Sequence, residues 1–109
     1  MSLIDKIRKA REMSVEVDGR KFTIRRPTDE EAAKFHDETA IAYVKRFTVG
    51  WDLAEIDIIP GGGPEKVPFD ADLFAEWVAD KPTLWIPLGT KILEAYQAHC
   101  QKRETAEKN

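Results

Sequence analysis

The sequence predicts an α+β domain, an N-terminal β-hairpin packed on a mainly helical body of three to four helices. Three observations predict it. Residues 13–26 alternate apolar and polar side chains about an Asp18-Gly19 pair. Two helix starts are written as caps, Thr28-Asp29-Glu30-Glu31 and Phe69-Asp70-Ala71-Asp72-Leu73-Phe74. The last third repeats apolar residues at helical spacing through Leu84, Leu88, Ile92, Ala95, Tyr96 and His99. A chain of 109 residues, 42% hydrophobic and 34% charged, fits one folded domain, 1–109, with a core of its own.

Residues 2–11 read as a short amphipathic helix. Leu3, Ile4, Ile7 and Ala10 share a face, and Ser2 can cap it. So short a helix is marginal alone. It either docks on its own domain or serves as an arm for a partner. In the hairpin, 13–26, Gly19 supplies the positive φ of a two-residue turn. That turn pairs Val17 with Arg20, Glu16 with Lys21, Val15 with Phe22, Ser14 with Thr23 and Met13 with Ile24. One face is then apolar except for Arg20, and it must cover helices.

Thr28 and Glu31 form a capping box that opens a long helix over 29–48. Phe35, Ala42, Val44 and Phe47 fall on two neighbouring stripes, which suits a central helix. Gly50 is placed for a left-handed C-terminal cap. Residues 49–69 read as an irregular Gly/Pro connector, with 55–59 as a short edge strand. Residues 70–104 are the C-terminal helices. Asp70 caps the first, and Phe69 can clasp Phe74. Its inner face is Leu73, Phe74, Trp77 and Val78. Pro87 sets the start of the last helix, because proline costs little as a first helical residue and about 3 kcal/mol inside. A turn over 82–86 and a fraying tail after residue 100 follow.

Chemistry is sparse. His36 and His99 are the only histidines, and neither has the spacing of a metal site. Cys100 beside His99 would point to a different helix face, so a half-buried structural thiol is the expectation. The lone cysteine, the absence of a leader-like start and the absence of a long apolar run suggest a cytoplasmic protein without disulfide, metal or cofactor. Pro60-Gly61-Gly62-Gly63-Pro64 lacks the Lys-Ser/Thr ending of a phosphate loop. Acidic pairs near helix starts are explained by the helix dipole. No enzyme is expected.

Residues 1–26 carry eight Lys/Arg against four Asp/Glu, a net +4; residues 27–80 carry four against thirteen, a net -9. The acidic middle argues against general nucleic-acid binding, which needs a continuous basic face. What remains is binding to protein. Trp51, Ile56, Ile58 and Trp85 are the candidate interaction residues: Trp is enriched at binding hot spots, and Trp51 and Trp85 sit beside irregular chain, where they serve equally well as core, while Ile56 and Ile58 are exposed-apolar candidates. Homo-oligomers are compatible with this reading.

Taken in order, Phe22-Thr23-Ile24-Arg25-Arg26-Pro27-Thr28, then Val49-Gly50-Trp51-Asp52, then Val67-Pro68-Phe69 before a helix, resemble the small tail assembly chaperones of long-tailed bacteriophages and prophages. The resemblance implies a non-enzymatic protein of the host cytoplasm. It would bind the helical tape-measure protein and help recruit tail-tube subunits. It carries no binding residue over. The last residues, Glu107-Lys108-Asn109, also permit a slippery heptamer in the gene, as frameshift-extended forms require. Another phage morphogenesis part, a tail-completion or head–tail connector protein, and a small cytoplasmic adaptor or regulator are the competing expectations.

Overall fold

Alternation about Asp18-Gly19 builds the hairpin that the rest of the chain covers. A computed structural model describes residues 2–35 and 37–108. Its elements run α1 (Leu3–Lys9), β1 (Glu12–Val17), β2 (Arg20–Arg25), α2 (Asp29–Phe35), α3 (Ala40–Phe47), β3 (Thr48–Trp51), α4 (Glu55–Ile58), α5 (Ala71–Val78) and α6 (Pro82–Lys108). The fold is α+β. Asp18 and Gly19 take φ of 55° and 74°, the tight turn that the sequence asks for. All five expected pairs form, and Glu12 opposite Arg25 extends the ladder.

The sheet has a third strand that the sequence reading missed. β3 pairs antiparallel with β2, so the order is β1-β2-β3, with a bulge at Thr23/Ile24. The expected edge strand at 55–59 is instead the helical turn α4. Gly50 is not a helix cap. It lies in β3 opposite Thr23, where an added Cβ would come within 3.1 Å of the Thr23 Cβ. Close approach, not a left-handed backbone, asks for glycine here.

The long helix expected over 29–48 is two helices. Thr28 Oγ1 accepts from the Glu31 amide, and Glu31 accepts from the Thr28 amide, so α2 starts on its capping box. It ends at Phe35. Glu38 N–H donates to the Phe35 carbonyl at 3.1 Å, and Thr39 Oγ1 caps α3 by accepting from the Ala42 amide at 3.3 Å. Asp37 and Thr39 are weak helix formers that favour turns and caps. Arg46 fastens the corner. Its guanidinium lies 3.7 Å from the centre of the Phe35 ring and donates to Glu38 at 2.7 Å.

The 49–69 connector is more regular than expected. The Glu55 and Ile56 amides donate to the Glu65 and Gly63 carbonyls, and the Val67 amide donates to Leu53. Asp70 caps α5 by accepting from the Leu73 amide, and the Phe69 and Phe74 rings meet at 5.7 Å as the expected clasp. α6 starts at Pro82, not at Pro87, and its helical backbone runs to Lys108. Pro87 removes one helical hydrogen bond. Continuity aligns Leu84, Leu88 and Ile92, all fully buried, on one stripe, and that burial offsets the loss.

The core joins Val17, Phe22 and Ile24 of the sheet to Tyr43, Val44 and Phe47 of α3, Phe74, Trp77 and Val78 of α5, and the Leu84–Leu88–Ile92 stripe. Beyond Ile92 no described side chain of α6 is fully buried. Among the described residues no helix is long and apolar enough to cross a membrane.

Candidate functional site

Ser2 caps α1 as expected, its Oγ accepting from the Asp5 amide at 3.1 Å. The helix then leaves its apolar face in solvent. Leu3, Ile4 and Ile7 are 76%, 60% and 54% exposed, and α1 buries no residue. Docking on the own domain, one of the two expectations for this helix, is not what the structure has. A single exposed leucine needs no explanation, but three on one face of a capped helix form a patch. Lys6, Arg8 and Lys9 make the last turn of the helix basic.

Through Ala10 and Arg11, α1 leads into a groove of about 920 Å³ between β1 and the C-terminal half of α6. β1 is an edge strand, so this side of the sheet carries no further strand. Val15, Ala95 and Ala98 give the groove a small apolar lining, and Met13, 47% exposed, adds a flexible one. Methionine adapts its shape to different partners. Arg26 lies at the same end as Arg11. Burial, and then the Arg11 charge, hold its pKa below the usual arginine value.

A polar clasp closes this end of the molecule. Tyr96 donates to Asp29 at 2.9 Å, and Arg103 donates to the other carboxylate oxygen. His99 Nε2 stands 3.8 Å from Asp29. The Tyr96 hydrogen bond, with help from Arg103 and His99, lowers the Asp29 pKa. Conversely, Asp29 first and Cys100 second push the Tyr96 hydroxyl up to about 12. Cys100 is half-buried, its sulfur 3.9 Å from an Arg103 nitrogen. His36 lies outside the described residues.

The four residues expected at an interface fall in different places. Trp51 is half-buried. Its Nε1–H donates to the Val67 carbonyl at 2.7 Å, and its ring meets Phe69, Phe74 and Trp77 edge-on at 5.2, 6.1 and 5.9 Å. Trp85 is anchored likewise, donating to Val78 at 2.7 Å. Ile58 packs partly against the core. Ile56 alone of the four is exposed, at 58%, with Ile59 beside it. Both tryptophans therefore join the connector and the α5–α6 turn to the body. The groove went unseen because its walls, β1 and α6, are distant in sequence. The exposed face of α1 was legible, since its apolar spacing is there to read.

No family model, curated protein or solved structure matches this chain. Fold and surface together describe an α+β domain that presents an uncovered amphipathic helix beside an open groove.

Proposed function

We propose that this chain is a non-enzymatic binding protein, a tail assembly chaperone of a long-tailed phage or prophage, acting in the host cytoplasm on the tape-measure protein and through it on tail-tube subunits. The observation that carries the reading is α1, a capped helix whose three large apolar residues stay in solvent. A face of that kind is covered in use by another protein. The order of the Arg25-Arg26-Pro27-Thr28 exit, Gly50-Trp51 and Pro68-Phe69 adds the resemblance. In the structure these residues tie the sheet to α2, to the connector and to α5, so they support a shared fold more than a shared binding surface. A helical client suits an apolar groove with a polar rim.

The test is the DNA on both sides of the gene. A very long downstream reading frame with helical periodicity, among tail genes, is the expected result. Metabolic or regulatory neighbours would count against the phage reading.

A further inference from the structure

We propose that the groove between β1 and the C-terminal half of α6 docks one amphipathic helix of a partner protein, held with its acidic first turn at the end marked by Arg11, Arg26 and Lys102. The inference rests on the reading of the chain as a helix-binding protein and adds the surface and the direction of the bound helix. Its first support is size. The α6 wall from Lys91 to Lys102 spans about 16 Å, or three helical turns. Over that length α6 presents Ala95 and Ala98, which let a second helix come close. Val15 and Met13 face it from β1.

The second support is the distribution of charge. Arg11, Arg26 and Lys102 have no ion-pair partner among the described residues, whereas Arg25, Arg46 and Arg103 each do. The Arg26 amide donates to the Arg11 carbonyl at 2.9 Å, so these two cations stand together at the α1 end of the groove that Lys102 also lines. The Asp29 carboxylate is near enough to act on Arg26, but Arg103 already pairs with it. Glu16 lies five residues beyond Arg11 along the strand, about 16 Å away. Glu94 lies eight residues back along α6, about 12 Å away. Glu12 at the first end and Lys91 at the second reduce the contrast without cancelling it. Three cations and Glu12 leave +2 at one end; Glu16, Glu94 and Lys91 leave -1 at the other.

This polarity selects the bound helix. Helices carry acidic residues in the first turn and basic ones in the last. Such a helix matches the groove in one direction only. Reversed, it would set its basic turn against Arg11 and Arg26.

The experiment uses the full chain and a fluorescent designed peptide of about four turns, with a leucine face, glutamates in its first turn and lysines in its last. A second peptide has the two charged turns exchanged. Anisotropy titration is expected to give at least about tenfold tighter binding of the first peptide. Ala98→Glu, at an exposed position, is expected to abolish binding with an unchanged circular-dichroism melt. Lys102→Glu is expected to shrink the difference between the peptides. Equal binding of both peptides, no binding of either, or full binding by Ala98→Glu would overturn the proposal. Tape-measure protein that still co-purifies with Ala98→Glu would also overturn the groove while leaving the chaperone reading intact. Peptide binding by a chain that ignores the tape-measure protein would do the reverse.

Discussion

Glu31 accepts 2.8 and 2.9 Å hydrogen bonds from the two Arg25 guanidinium nitrogens and a 3.0 Å bond from the Thr28 amide. Arg25 in turn covers the Phe47 ring at 4.7 Å. One carboxylate thus joins the end of β2, the start of α2 and the side of α3. The Arg25 bonds, with the Thr28 amide behind them, lower its pKa to about 2 against partial burial. The folded value lies below the unfolded one, so the stabilisation is full above about pH 4.5 and fades as pH falls toward 2. Glu31→Gln keeps the cap and loses the ion pair. Urea unfolding should show a loss of about 1–2 kcal/mol at pH 7, with a flatter stability profile between pH 4.5 and 2. An unchanged profile would remove Glu31 from this role. The capping half of this arrangement was readable in the Thr28-x-x-Glu31 spacing. The Arg25 half was not, because it depends on where β2 ends in space.

At the scale of elements, local chemistry was legible and continuity was not. The hairpin register followed from Asp18-Gly19 because a two-residue turn leaves one pairing that puts Val15, Val17, Phe22 and Ile24 on a shared face. Two helical patterns mislead in opposite ways. The 29–48 pattern looked continuous, but Thr39 caps a new helix; the 82–102 pattern looked broken, but Pro87 is tolerated. The first is decided locally, by the Thr39 cap and the Arg46 corner on Phe35 and Glu38, and the second by burial of the Leu84–Leu88–Ile92 stripe. Restoring the missing hydrogen bond should therefore help: Pro87→Ala is expected to stabilise the chain by about 1–3 kcal/mol, read as a raised denaturant midpoint. A lowered midpoint would mean that α6 needs the proline. α1 gives the opposite test. Replacing Leu3, Ile4 and Ile7 together by Ser should change stability by no more than about 0.5 kcal/mol, since all three side chains stay more than half exposed and outside the core in the free domain. A loss of several kcal/mol would show the helix docked.

The whole molecule is elongated, 55 × 34 × 22 Å with a radius of gyration of 15.3 Å, against about 13 Å for a round domain of this length. Its core lies between the sheet and the first half of α6. α1 and the second half of α6 contribute surface. That division separates what stabilises from what binds. The aromatic cluster of Phe22, Trp51, Phe69, Phe74 and Trp77 holds the fold, so Trp77 lies on the inner face that its helical spacing predicts and Trp51, open between core and interface, packs against it. The proposed role gives α1 and its groove a helical partner. Co-expression with the tape-measure protein, followed by light scattering of the purified material, tests it most directly. A soluble complex, lost when Leu3, Ile4 and Ile7 become Ser, is the expected result. A tape-measure protein that stays soluble alone while this chain elutes apart from it would rule out that role for α1 and the groove.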